Sequence, residues 1–126
     1  MDERPRISEA EWAVMEVVWE QEPVAAQDVA ARLGPGRDWS PRTVKTLLAR
    51  LVKKGVLGFE EEGRRYRYHA LLSRAACVRE EGRSFARRVF GGRTSPLLAH
   101  FVREGELSAE EIAELRRLLD EQEGEQ

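Results

Sequence analysis

The apolar positions of this chain fall into short blocks, most of them at helical spacing. Ile7-Ser8-Glu9-Ala10-Glu11-Trp12 has the form of a capping box, with Ser8 at the N-cap, Glu11 at N3, and Ile7 and Trp12 placed to close over it. The apolar residues that follow (Ala13, Val14, Met15, Val17, Val18, Trp19) predict a strongly buried first helix that ends before Pro23. A second, shorter helix is expected from about Ala25 to Leu33, with Val29, Ala30 and Leu33 inward and Gly34-Pro35-Gly36 as its stop. Ser40 followed by Pro41 opens a third helix, which runs to about Lys54 and ends at Gly55. The period then changes. Val56-Leu57-Gly58-Phe59, a turn around Glu62-Gly63, and the alternating run Arg65-Tyr66-Arg67-Tyr68-His69-Ala70 predict a β-hairpin. A fourth helix, about Ser73 to Phe90, stops at Gly91-Gly92, and Ser95-Pro96 opens a fifth. Leu107-Ser108-Ala109-Glu110-Glu111-Ile112 repeats the first capping pattern and opens a sixth, whose polar tail from Glu121 reads as frayed.

Three helices followed by a basic hairpin is the order of a winged helix-turn-helix, in which the third helix enters the DNA major groove. Projected at 100° per residue, Val44, Leu47, Leu48, Leu51 and Val52 share one stripe and must face the core. The opposite side carries Arg42, Thr43, Thr46, Ala49, Arg50 and Lys53, with Lys45 and Lys54 at the edges and no acidic residue. A solvated surface helix more often mixes Glu with Lys in i, i+4 pairs. Arginine can grip guanine with two bonds, and threonine can meet a base, a phosphate or a thymine methyl. Lysines at the edges suit phosphates, which position without specifying sequence. The candidate DNA-binding residues are therefore Ser40, Arg42, Thr43, Lys45, Thr46, Arg50, Lys53 and Lys54, with Arg64 and Arg65 at the hairpin tip. Glu60, Glu61 and Glu62 beside that tip oppose a phosphate contact unless they point away.

The fold class expected is mainly α with a small β-hairpin wing: an N-terminal winged helix-turn-helix over residues 1–71 and a C-terminal helical dimerisation region over 72–126. The second part has fewer than 50 helical residues and rarely would such a segment sustain its own core. Val78, Gly82, Phe85 and Val89 recur as a coiled-coil-like seam on the fourth helix. Phe90, Leu97, Leu98, Phe101, Ile112, Leu115, Leu118 and Leu119 add further apolar surface for a homodimer; folding back onto the first domain is the alternative. A twofold dimer sets two reading helices about 34 Å apart, or a multiple of that, and so predicts a palindromic site on double-stranded DNA.

Composition changes this picture in one respect. Of 126 residues, 41% are hydrophobic and 35% charged, and the formal net charge is −2, which does not advertise a nucleic-acid partner. Yet residues 37–69 hold nine Lys or Arg against four acids, while the first 36 hold three against eight. Clustered charge matters more than the sum. No run reaches the ~18–20 apolar residues of a membrane span, and the N-terminus lacks the apolar stretch of a signal peptide, so no membrane insertion and a cytoplasmic location are expected. The one cysteine, Cys77, fits a reducing compartment and reads as packing. His69 and His100 have no ligand spacing near them, so no metal site and no cofactor are expected. Trp12, Trp19 and Trp39 read as core anchors, and no phosphate loop, nucleophile elbow or metalloprotease motif appears, so the chain is not expected to be an enzyme. Two rival readings stand beside the DNA reader: a winged helix that docks an acidic protein, and a ligand-responsive regulator that keeps DNA binding without proteolytic induction.

The chain resembles the penicillinase-repressor (BlaI/MecI) family. The matching residues are Ile7–Met15, Val18-Trp19, Arg42–Gly55, Leu97-Leu98-Ala99-His100-Phe101, Leu107-Ser108 and Glu110–Leu115, with Thr43–Gly55 the most specific. The resemblance implies a dimeric repressor with an N-terminal winged helix and a C-terminal helical dimerisation region, binding inverted repeats with TACA/TGTA half-sites upstream of resistance genes. For antibiotic-responsive members it also implies a membrane-bound sensor protease, which leads to cleavage at an Asn-Phe bond in the fifth helix. The pair in that position, His100-Phe101, is the candidate cleavage site, and its histidine departs from the family pattern. The C-terminal cysteine-rich motif of copper-responsive members has no counterpart in a chain with one Cys.

Overall fold

A computed structural model describes residues 6–37 and 39–124. The element order is α1 (Glu9–Gln21), β1 (Val24–Ala25), α2 (Ala26–Leu33), a 3-10 turn (Gly34–Gly36), α3 (Pro41–Lys53), β2 (Leu57–Glu62), β3 (Arg65–Ala70), α4 (Arg74–Phe90), α5 (Ser95–Arg103) and α6 (Ala109–Gly124). The fold is mostly helical with a small antiparallel sheet, as the hydrophobic pattern predicts. The chain divides into two compact units, residues 1–81 and 82–126, and α4 runs through the boundary.

The local signals at the helix ends operate as their chemistry requires. The Ser8 hydroxyl accepts from the Glu11 N–H at 3.1 Å and the Glu11 carboxylate accepts from the Ser8 N–H at 2.8 Å. Ser108 and Glu111 repeat the exchange at 3.1 and 2.9 Å ahead of α6. Ser40 caps α3 by accepting from the Thr43 N–H, and Pro41 occupies the first turn. Gly55 ends that helix with φ +81, a conformation that a β-carbon disfavours, and the N–H of Val56 returns to the carbonyl of Leu51.

Within residues 1–81, α1, α2 and α3 surround one core with the sheet. Val14, Met15 and Val18 of α1, Val29 of α2, Val44, Leu48 and Leu51 of α3, and Val56 and Leu57 at the start of the hairpin are all buried. Burial of each such aliphatic side chain is worth roughly 1.5–3 kcal/mol, and these positions share one cluster only if the three helices cross over it. Cys77 belongs to the same core. Arg74 grips Glu16 of α1 through two hydrogen bonds of 2.8 and 3.1 Å, and the Trp19 indole donates to the Leu72 carbonyl at 3.0 Å. The start of α4 is thus packed into the first unit, which continues ten residues past the position 71 expected from the sequence to end its domain.

Three features differ from the sequence expectation. A short strand, β1, precedes α2 and makes the hairpin a three-stranded sheet of order β1-β3-β2, with Val24 opposite Tyr68 and Ala25 opposite Arg67. Two residues are too few to show an alternating period. The hairpin loop is Gly63-Arg64, one residue later than expected, because Glu60, Glu61 and Glu62 are strand residues of β2 facing Arg67, Tyr66 and Arg65. Gly63 takes φ +66 at the first loop position, where a two-residue hairpin demands a positive φ. Finally, α6 continues beyond Glu121 to Gly124, with Arg117 paired to Glu114 and Glu121 along its exposed face.

The second unit comprises the last part of α4 with α5 and α6. Ala86 is the one buried side chain among its described residues, and neither α5 nor α6 contributes any. Phe85, Val89, Leu98, Phe101, Leu118 and Leu119 are exposed. No helix among the described residues is long and apolar enough to cross a membrane.

Candidate nucleic-acid interface

Helix α3 presents the two faces that its sequence pattern separates. Val44, Leu47, Leu48 and Leu51 are buried, Val52 is half-buried, and Arg42, Thr43, Lys45, Thr46, Ala49, Arg50 and Lys53 are exposed. The helix stands rigidly because its apolar stripe is locked into the core, so its outward side chains are held at fixed spacing. Ser40 and Thr43 lie within 3.2 Å of each other through their hydroxyls, and the Thr46 hydroxyl donates back to the Arg42 carbonyl at 3.1 Å. The Thr46 oxygen therefore retains its lone pairs as acceptors.

The cations of the first unit fall into two sets. Arg6 pairs with Glu81, Arg32 with Glu20, Arg67 with Glu62 and Arg74 with Glu16, whereas Arg37, which lies over the Trp39 ring, and Arg79 have no carboxylate partner among the described residues. Arg42, Lys45, Arg50 and Lys53 on α3 and Arg64 at the wing tip have none among the described residues. Five cations in adjoining elements are thus left uncompensated, and strand β2 carries the three wing acids opposite β3, with Glu62 adjoining the loop and 3.8 Å from Arg67.

Two candidate contacts are placed differently from the sequence expectation. Lys54, expected at the phosphate-facing edge of α3, turns inward: its ammonium donates to the buried Glu11 carboxylate at 2.5 Å and to the Arg6 carbonyl at 2.6 Å. Helical projection alone set it on an edge, and a carboxylate 43 residues away decides its orientation. Arg65 begins β3 and lies 3.9 Å from Asp28 of α2, so its charge is shared with a surface acid. Sequence reasoning also missed two wing aromatics. Phe59 and Tyr66 stack at 4.6 Å between centroids, with 41% and 45% of their surface exposed, on the same face of the sheet as the buried Tyr68. Burial holds the Tyr68 hydroxyl above its ordinary pKa, with the neighbouring Tyr66 adding to it. The alternation of β3 sets Tyr66 on the face of Tyr68, but it carries no information on Phe59 and gives no sign that Phe59 and Tyr66 stay in solvent.

The residues expected to dimerise lie on α4, α5 and α6. Val78, Phe85, Val89, Leu98, Phe101, Leu118 and Leu119 are exposed, whereas Phe90, Leu97, Ile112 and Leu115 are half-buried. His100 and Phe101 are adjacent, exposed side chains of α5, with their rings 5.5 Å apart. No group of three or more His, Cys, Asp or Glu among the described residues could hold a metal ion.

A tri-helical core, a reading helix with an acid-free cationic face, and an adjoining basic wing define a winged-helix DNA-binding protein. The sequence profile of the family described as "Penicillinase repressor" matches residues 7–121. The chain is 35% identical to the penicillinase repressor of Bacillus licheniformis over 121 residues, covering 96% of this chain and 94% of that protein. It is 33% identical to the methicillin resistance regulatory protein MecI of Mammaliicoccus sciuri, covering 90% and 93%. Among solved structures, the DNA-binding domain of the repressor BlaI superposes with a TM-score of 0.53 at 37% identity, over 60% of this chain and 92% of that one. The monomeric form of Bacillus licheniformis BlaI in complex with the blaP half-operator gives 0.51 at 37% identity, over the same shares. The chain belongs to the penicillinase-repressor family, which is a family of transcriptional repressors and not of enzymes.

Proposed function

We propose that this protein represses transcription by binding a palindromic operator as a homodimer, with α3 in the major groove and the wing on the adjoining backbone. The observation that carries this reading is the set of unpaired cations on one rigid surface: Arg42, Lys45, Arg50 and Lys53 with Arg64, none of which has a carboxylate partner among the described residues. Charge left uncompensated in this way favours a polyanion. Arg42, Thr43 and Thr46 are assigned to base edges; Ser40, Lys45, Arg50, Lys53 and Arg64 are assigned to phosphates, with Arg65 as a lesser contact. Lys54 is excluded from the set because Glu11 takes its charge. The half-operator complex of the BlaI relative supports operator DNA as the partner, and the relatives' names support resistance genes as the regulated class.

The dimer rests on the second unit. It has too little interior to stand alone, and it exposes a row of large apolar side chains that a second copy would cover. The test is binding of the purified protein to the DNA upstream of its own gene across a salt series, with a random duplex as control. Four phosphate-facing cations, Lys45, Arg50, Lys53 and Arg64, predict a log–log slope of about −3.6 per protomer, and a full contact from Arg65 would bring it to about −4.5. Selective binding of two protomers per site supports the reading. Weak binding that is equal on both duplexes overturns it in favour of a protein-docking module.

A further inference from the structure

One cleft beside the reading face has a chemistry of its own. It has a volume of about 490 Å³ and lies between the start of α2, helix α3 and the wing. Its walls are Ala25, Ala26 and Gln27, then Lys45, then Arg64, Arg65, Tyr66 and Tyr68. Three of these are cations and no acid is among the described lining residues. The alanines make one wall low and leave room for a ligand to approach the backbone. Tyr66 also lines the cleft. Its ring is fixed by Phe59 at 4.6 Å and by Tyr68 at 6.5 Å, in an edge-on arrangement. No described residue hydrogen-bonds its hydroxyl. A large aromatic that stays 45% exposed, stacked in place, beside two unpaired cations (Lys45 and Arg64), is built to face a ligand.

We propose that this cleft seats one phosphodiester of the DNA backbone at the flank of the reading helix, and that Tyr66 completes the seat as a neutral hydrogen-bond donor. The proposal rests on the operator reading above and adds to it a contact made jointly by three elements. Lys45 fixes the location, because it lines the cleft and also belongs to the exposed face of α3. A backbone that passes α3 therefore passes the mouth of the cleft. Lys45 and Arg64 supply the charge, and the Tyr66 hydroxyl supplies direction. A phosphate held from α3 and the wing together would fix the angle at which α3 enters the groove, which neither element fixes alone. Arg65 stands at the rim with part of its charge taken by Asp28.

The experiment uses the full chain, the promoter duplex and a random duplex, with phosphate-ethylation interference as the second readout. Tyr66→Phe keeps the ring and its stacking on Phe59 and removes only the hydroxyl. It should weaken binding about fivefold on both duplexes, the worth of one net hydrogen bond. One ethylated phosphate per half-site should block the parent protein and lose most of its effect on Tyr66→Phe. Lys45→Gln should lower the salt slope by about one and weaken interference at the same phosphate. If the parent binds selectively while Tyr66→Phe binds equally well with an unchanged interference pattern, the seat is overturned and the operator reading stands. If the parent itself binds neither duplex selectively, both fall. If inorganic phosphate saturates a site sensitive to Tyr66→Phe while duplex binding does not change, the cleft holds a free anion and the backbone proposal is overturned.

Discussion

The Glu11 carboxylate, 1% exposed, accepts a 2.5 Å hydrogen bond from the Lys54 ammonium, which joins the first turn of α1 to the end of α3. The two partners are unequally sheltered, since the Lys54 side chain keeps 21% of its surface in solvent. Removal of either one leaves the other with a different fate. Lys54→Ala strands a buried carboxylate and should cost about 3–5 kcal/mol. Glu11→Ala leaves an ammonium that can turn to water and should cost less, about 2 kcal/mol, mostly for the lost hydrogen bonds and the lost cap. Denaturant melts of both variants check the order, and equal losses would show that the pair is not the reason for either.

The same carboxylate predicts a pH dependence. Burial by itself raises the pKa of Glu11. The hydrogen bond from Lys54, the N–H of Ser8, the Lys54 charge and the Ser8 hydroxyl together outweigh it and hold the group below its ordinary 4.5. A carboxyl lowered in the folded state adds stability that is fully present above its unfolded pKa and is lost as pH falls through the folded value. Stability should therefore decline below about pH 4.5 in the parent and decline less steeply in Glu11→Gln. A melt series from pH 6 to pH 3 on both proteins reads this directly, and parallel curves would remove Glu11 as the titrating group.

The course of the chain shows which parts of this protein were legible in its sequence. Both capping boxes were, because Ser and Glu three residues apart act on each other's backbone and need no distant partner. The two faces of α3 were, because burial follows a 3.6-residue period once a core exists. Lys54 was misplaced by the same logic, since its partner is set by tertiary packing of α1 against α3. Strand β1 was invisible because Val24-Ala25 is strand only through pairing with Tyr68 and Arg67. The cleft at Tyr66 also joins residues from three elements, and only their assembly brings Ala26, Lys45 and Arg64 to one place.

On the reading helix, Arg42→Ala and Thr46→Ala should each weaken specific binding by roughly 1–3 kcal/mol and leave binding to random duplex nearly unchanged. The two positions are one helical turn apart, and the Thr46 hydroxyl bonds the Arg42 carbonyl. They are close enough to couple, so the double variant should lose less than the sum. Titrations of both single variants on promoter and random DNA check this. Equal loss on the two duplexes would reassign both residues to the backbone.

Asp28 should act as a brake on the wing. It lies 3.9 Å from Arg65 with both side chains more than half exposed, so the pair adds little to stability. Its effect on a polyanion is larger in kind, because a carboxylate beside the wing offsets one cation and repels the backbone. Asp28→Asn should tighten binding to random duplex a few-fold and steepen the salt slope by up to about one, with specificity reduced because the gain is not base-dependent. Salt titrations of the variant measure both. Unchanged slope and affinity would show that Arg65 stays outside the interface.

Phe85→Asp tests the dimer without disturbing the first unit. Phe85 sits on the part of α4 that lies beyond residue 81, has its ring beside Phe90 and Arg88, and is not a member of the core built on Val14, Met15 and Leu48. An aspartate there adds a charge to a surface whose exposed apolar side chains Val89, Leu98 and Phe101 lie on the same unit. In a folded monomer that charge is solvated and harmless. Across a twofold interface it is desolvated, twice, and unpaired. The variant should therefore run as a monomer by light scattering at concentrations where the parent is a dimer, and keep the cooperative melt of residues 1–81. Operator affinity should fall by about 100-fold, because the second half-site is no longer reached at high effective concentration, while each half-site is still read by its own α3. A variant that stays dimeric, or a dimer lost without loss of operator affinity, would place the assembly surface elsewhere than on this helix.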